Sequence, residues 1–326
     1  MSLKFKRGEG DLDGIVILAV LAIIIWVTPK SPLTSESPLW APGTTISSYG
    51  LGTKTGNGSG SGSGTTLTSA GNADSPSRSI SLGTGNASYS FQPYEEYIVI
   101  ENYSRNPIDI TGWQLKNDKD KRPYNAGGTL QRFSADIAVI PRATLLVSPS
   151  PSSQGSLSNV ILEAGERAFI TTGKVNVSSP YRIISFKENI CTGYIEAHPD
   201  YAFTPPLTQN CPRPSDEPGV KSLPTECRDA VNTLYSCRIP EFGGKDSLGE
   251  YCENCLYGKQ LPSSCVAFIK EHFNYRGCVA NHQNDPNFEG RNWRIFLGRG
   301  WEMWNKDYET IELFDENGQL VDFQNY

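Results

Sequence analysis

The chain has 326 residues, of which 37% are hydrophobic, and acidic residues outnumber basic ones by 35 to 29 for a net charge of −6. That is long enough for a folded domain with further segments, and the acidic excess, which lies in residues 91–326, has the wrong sign for a phosphate-binding surface. Nucleic acid is therefore not an expected partner.

Residues 14–27, GIVILAVLAIIIWV, form an uninterrupted apolar run behind Lys4, Lys6 and Arg7. At 1.5 Å per residue such a run covers roughly 21 Å of a hydrocarbon layer about 30 Å thick. No small-residue cleavage site follows it, and the basic residues lie upstream. The expectation is an uncleaved signal anchor at 14–28, with residues 1–13 cytoplasmic and the rest of the chain outside, in a single-pass arrangement at the cell membrane. Residues 29–90 are rich in Ser, Gly, Thr and Pro, including GNGSGSGSGTT from Gly56. A segment with so little to bury reads as a disordered tether. Sequons occur at Asn57 and Asn86.

β patterns begin near Phe91. Strands are expected at 95–101 (EEYIVIE), 108–115 (IDITGWQL), 137–140, 144–147, 167–171 and 182–186, with turn-prone residues between them. Trp113 is expected in the core, and Glu101 and Asn102 are expected to bond to neighbouring backbone. The C-terminal stretch ETIELF, DENG, QLVDFQNY reads as a hairpin. Asn317 followed by Gly318 predicts a type I′ turn.

Between these β regions lie all eight cysteines: Cys191, Cys211, Cys227, Cys237, Cys252, Cys255, Cys265 and Cys278. An even number in so short a span predicts a disulfide-stapled insertion in an oxidising compartment, with the pairing undetermined. Two helices are predicted there. One carries Cys227, Val231, Leu234 and Tyr235; the other carries Cys265, Phe268, Ile269 and Phe273 after the cap candidate Ser263. The rival chemistry is zinc, with Cys252, Cys255, Cys265 and Cys278 as thiolate ligands and His272 and His282 nearby. His198, His272 and His282 are the only histidines, so acid-base catalysis has few candidates. The histidines read as surface residues in loops and at a helix end; the alternative is an extracytoplasmic metal-dependent hydrolase or nuclease using His272 and His282 with Glu271, Asn281 and Asp285, whose spacing fits no known motif. No nucleophile elbow or P-loop accompanies them, so no catalytic, cofactor or metal residue is expected.

Two charged or aromatic groups remain. Lys116, Lys119, Lys121 and Arg122, interleaved with Asp118 and Asp120, read as a solvated loop. Trp293, Trp301 and Trp304, with Arg294 and Arg299, are a candidate interaction surface, since Trp and Arg are enriched at interfaces, but read first as residues covered by the insertion.

The segments EYIVIENYSRNPIDITGWQLKND from Glu96, LEAGERAFITTG from Leu162 and ETIELFDENGQLVDFQNY from Glu309 resemble the lamin tail domain. The resemblance covers about 93–188 and 291–326 and implies an immunoglobulin-like β-sandwich. Without a heptad-repeat rod the chain is unlike the animal lamins; it is similar to prokaryotic, membrane-anchored proteins carrying this module. The expected organisation is thus a sandwich in two parts, 91–188 and 291–326, interrupted by a partly helical cysteine-rich insertion at 189–290. The expected role is a non-catalytic cell-envelope binding or structural module, tethered to the membrane by its N-terminal anchor, with an envelope protein or polysaccharide as partner and no cofactor.

Overall fold

The computed structural model describes residues 79–147, 155–177 and 183–326, all within the unit Thr68–Tyr326. The expected cytoplasmic flank at 1–13, the anchor at 14–28, the sequon at Asn57 and the tether up to residue 78 lie outside the described residues. Among the described residues no helix is long and apolar enough to cross a membrane.

The strands that carry the architecture are β1 (Ile80–Gly83), β2 (Tyr97–Asn102), β3 (Gln114–Lys116), β4 (Ile137–Val139), β5 (Ala143–Thr144), β6 (Leu157–Ser158), β7 (Arg167–Thr171), β8 (Phe186–Asn189), β9 (Glu289–Phe296), β10 (Thr310–Phe314) and β11 (Leu320–Asn325). They form a seven-stranded sheet in the order β1-β2-β7-β9-β8-β5-β6 and a four-stranded sheet in the order β11-β10-β3-β4. The smaller sheet is antiparallel throughout. In the larger one β7 runs parallel to β9, and β8 runs antiparallel to β9.

Strand alternation builds the core. Ile98, Ile100, Ala168, Ile170, Trp293 and Ile295 from the large sheet share one buried cluster with Leu115, Ala138, Ile311 and Leu313 from the small one. Two sheets facing one apolar layer is the arrangement of a sandwich. Among the described residues the protein is mainly β, with few helices. Trp113 is 3% exposed in this core, and its truncation to Ala is expected to cost about 3–5 kcal/mol. Asn102 is fully buried at the end of β2, where its side chain donates to the Leu162 and Asn106 carbonyls. Glu101 pairs with Arg167 at 3.0 Å.

A second apolar cluster lies on the other face of the large sheet, where Phe186 packs against residues of the insertion. Strands β8 and β9 are covered on both faces. This is why Trp293, Arg294 and Ile295 are buried in succession and why the period-2 pattern was hard to see in the sequence.

Several expectations change. The tether does not extend to residue 90: Ile80–Gly83 pairs with β2 along its length, with Ile80 and Leu82 supplying a buried apolar face. Asn86, a sequon residue, uses its side chain to bond both the Glu95 carbonyl and the Tyr97 amide. The run 108–115 is not one strand, since the chain turns at Gly112, where φ is +83°, and divides between Ile108–Asp109 and β3. The strand expected at 182–186 instead starts at Phe186.

The C-terminal hairpin also closes differently. Gly318 has φ +76°, but Asn317 is not left-handed. The amide of Gly318 bonds the Asp315 carbonyl and the Asp315 amide bonds the Gln319 carbonyl. The Asp315 carboxylate also accepts the amides of Asn317 and Gln319. The result is a longer turn with a register shift between Leu313 and Phe314, in place of the two-residue type I′ turn.

Candidate functional site

Strands β8 and β9 are antiparallel neighbours whose shared end opens into residues 190–288, so the insertion grows from the middle of the large sheet. Its helices are α1 (Gly193–Glu196), α2 (Thr225–Val231), α3 (Ser263–His272) and α4 (Tyr275–His282). Helix α2 ends before Tyr235, which is 72% exposed instead of continuing the predicted apolar face. Ser263 is the first residue of α3, not its cap; Pro262 holds that position without a side-chain bond. Helix α4 was missed, and its signal was Asn274, whose side chain accepts the Gly277 amide.

The cysteines pair as Cys191–Cys278, Cys211–Cys237, Cys227–Cys265 and Cys252–Cys255. None is free. The four thiolates that a zinc centre would have drawn on are thus held in three bridges. Among the described residues no group of three or more His, Cys, Asp and Glu side chains is placed to hold a metal ion.

The insertion is latched to the sheet by a buried charge. Arg294 donates through Nε to Glu188, and through its two Nη groups to the carbonyls of Pro205 and Pro206, each at 2.7 Å. Its guanidinium also lies 4.5 Å from the Phe169 ring centre. Arg294 therefore does sit beneath the insertion, as expected. Trp293 and Trp304 do not: both belong to the sandwich core, because residues 293 and 294 point to opposite faces of β9. Trp301 is 60% exposed, with Arg299 6.0 Å from its ring centre.

The histidines named as catalytic candidates converge on Glu217, a residue the sequence reading passed over. His282 lies with Nε2 3.0 Å from Glu217 and Nδ1 2.7 Å from Asp285. His272 places Nδ1 3.4 Å from Glu217 and stacks on Phe268, and Asn281 donates to Glu217 at 2.7 Å. Burial alone would lower the His282 pKa; the Glu217 and Asp285 carboxylates outweigh it and hold the imidazolium above its ordinary range. His198 pairs with Asp200 at 3.7 Å, and Glu271 offers its backbone carbonyl to Asn274. This constellation ties α3 and α4 to the turn carrying Glu217, and both ring nitrogens of His282 are engaged in doing so.

The basic cluster is likewise paired internally. Lys116 bonds Asp120 at 2.8 Å, Arg122 bonds Asp118 at 2.8 Å, and Lys119 and Lys121 pair with Asp136 and Glu312. It is an ion-pair network bridging strands, more built than the solvated loop expected.

Tyr235 and Tyr257, 72% and 67% exposed, lie together on the surface of the insertion. Both line two adjoining grooves of the insertion, with volumes of about 500 and 450 Å³. Tyr257 and Gly258 connect the short strands Cys255–Leu256 and Lys259–Gln260 with φ of +50° and +80°. The left-handed two-residue turn expected at Asn317–Gly318 is therefore found here, with an aromatic residue where Asn is favoured. A polar cleft of about 480 Å³, lined by Glu188, Asn189, Asn210, Asn287 and Asn292, lies where the insertion leaves the sheet.

Fold and site together define, among the described residues, a mainly β protein whose two largest sheets share one core, with a disulfide-stapled helical insertion rising from the central strands of the larger sheet. No protein-family model matches the chain, and no curated protein matches it.

Proposed function

We propose that this protein is an extracytoplasmic, membrane-tethered module of the lamin-tail-like, immunoglobulin-like sandwich class, and that it works by binding at the cell envelope without catalysis. The sandwich is the scaffold and the insertion the recognition element. The observation that carries this reading is the pairing of all eight cysteines into four disulfides, which persist in oxidising compartments. The apolar run at 14–27 supplies the anchor and the Ser/Gly-rich tract the reach. Internal neutralisation of the basic cluster, added to the net charge of −6, supports a partner other than nucleic acid.

The alternative, a metal-dependent hydrolase or nuclease sited in the insertion, draws on the convergence of His272, His282, Asn281 and Asp285. Their geometry favours a structural role, since Glu217 and Asp285 occupy the nitrogens of His282. Replacing both His272 and His282 by Gln tests this. An activity of the exported protein that vanishes in that variant, with the fold retained, favours the enzyme.

Topology tests the main reading. On intact cells, a tag placed after Tyr326 is expected to be removed by added protease, and the cysteines are expected to resist alkylation until the protein is reduced. A protected tag and eight alkylatable thiols would overturn it.

A further inference from the structure

We propose that the two grooves beside Tyr235 and Tyr257 form one continuous site for a neutral polysaccharide chain; this names the ligand class of the recognition element and rests on the envelope-binding reading above. A bulky residue at positive φ is an outlier, and such strain persists where the surroundings over-determine it, often at ligand clamps. Tyr257 has φ +50° in a turn that Asn would enter at less cost, yet it presents an exposed aromatic ring to solvent. Tyr235 presents a second ring to the same two grooves.

Each tyrosine stands two positions from a bridged cysteine, Tyr235 from Cys237 and Tyr257 from Cys255. The rings are thus carried on stapled backbone, and preorganisation of this kind reduces the ordering cost of binding. The groove volumes fall within the ordinary range for ligand sites.

The chemistry of the rim selects the ligand. Asp229 and Lys259 border one groove, and Arg238 and Glu241 border the other. The two charges of each groove cancel, so neither a polyanion nor a polycation is favoured. A pyranose offers an apolar C–H face to an aromatic ring and hydroxyl edges to carboxylates, hydroxyls and ammonium groups. Tyrosine, with an apolar body and a polar tip, suits both demands, and Thr233 and Ser236 add hydroxyls. Two adjoining grooves sharing both rings suit consecutive sugars of a linear chain.

The test is calorimetric titration of the full-length protein in detergent with cellohexaose, chitohexaose and mannohexaose, their monosaccharides, and polygalacturonate as the anionic control. The expected result is binding of at least one neutral hexasaccharide, about tenfold or more tighter than its monosaccharide. Tyr235→Ala and Tyr257→Asn are each expected to weaken it about 3- to 10-fold. Tyr257→Asn is also expected to hold or raise the melting temperature, since Asn-Gly suits the turn, which separates lost binding from lost folding. No binding to any of the three neutral oligomers, binding untouched by either substitution, or a preference for polygalacturonate would overturn the proposal. The two readings fail separately. If labelled protein still binds intact cells when both tyrosines are replaced, the glycan site is wrong and envelope binding stands. If the protease experiment places the C-terminus inside the cell, the envelope reading itself falls.

Discussion

Glu309 is 2% exposed, and its carboxylate accepts the amides of Asp118 and Asn305 at 3.1 Å each. Burial first, and then the Asp118 carboxyl beside it, push its pKa up to about 7. For Asp118 burial acts upward too, but hydrogen bonds with Glu309, Thr310 and Arg122 outweigh it and hold the group below the ordinary carboxylate range. Because the folded state binds the Glu309 proton more tightly, the stabilisation is complete below the unfolded value of 4.5 and is lost as pH rises through 7. His282, also raised, acts with the same sign: its contribution is present below 6.5 and fades as pH climbs past its folded value. The melting temperature is therefore expected to fall between pH 5 and pH 8. Calorimetry of Glu309→Gln should show a flatter profile, with roughly 1–3 kcal/mol of the pH dependence removed. Gly193 makes a different demand: a Cβ there would collide with the sulfurs of Cys237 and Cys211. Gly193→Ala should lower the urea midpoint, at a cost of about 1–3 kcal/mol.

Among the elements, β9 carries the most information about how the two halves of the molecule communicate. Its Trp293 and Ile295 belong to the sandwich core, while Arg294 reaches Glu188 and the Pro205–Pro206 carbonyls. Removing only the guanidinium leaves the Glu188 carboxyl group buried without its partner, so Arg294→Met is expected to cost about 3–5 kcal/mol. The double change with Glu188→Met should recover much of that loss. A double-mutant cycle by chemical denaturation measures the coupling; additive effects would show that the latch contributes nothing beyond packing. The same strand explains a blind spot in the sequence. EGRNWRIF is not a clean alternation, because both faces are covered and Arg294 is accommodated by its partners. The hairpins show a second one: dipeptide chemistry located a left-handed turn at Asn317–Gly318, whereas Asp315 side-chain bonds to the amides of Asn317 and Gln319 selected another loop.

For the whole molecule, the bridges differ in what they hold. Cys191–Cys278 closes a loop of 87 residues and Cys252–Cys255 a separation of 3. By loop-closure entropy, removing the first pair should cost about 4–5 kcal/mol and the second about 2. Thermal unfolding of the two double Cys→Ala variants checks the order, and an equal loss from both would contradict it. Reductant should lower the melting temperature of the parent protein, whereas a chelator should leave it unchanged; a chelator-induced fall would revive the metal reading.

Composition and local pattern were enough to locate the β-rich regions around a cysteine-bearing insertion, because burial of alternating residues and clustering of cysteines leave marks within a few positions of one another. Trp113, Asn102 and strand β7 were legible for that reason. The disulfide pairing, the position of β9 between β7 and β8, the gathering of His272 and His282 on Glu217, and the shared grooves at Tyr235 and Tyr257 came only with the tertiary structure. Each joins residues distant in the chain, and local spacing carries no record of which distant groups will be brought within bonding distance.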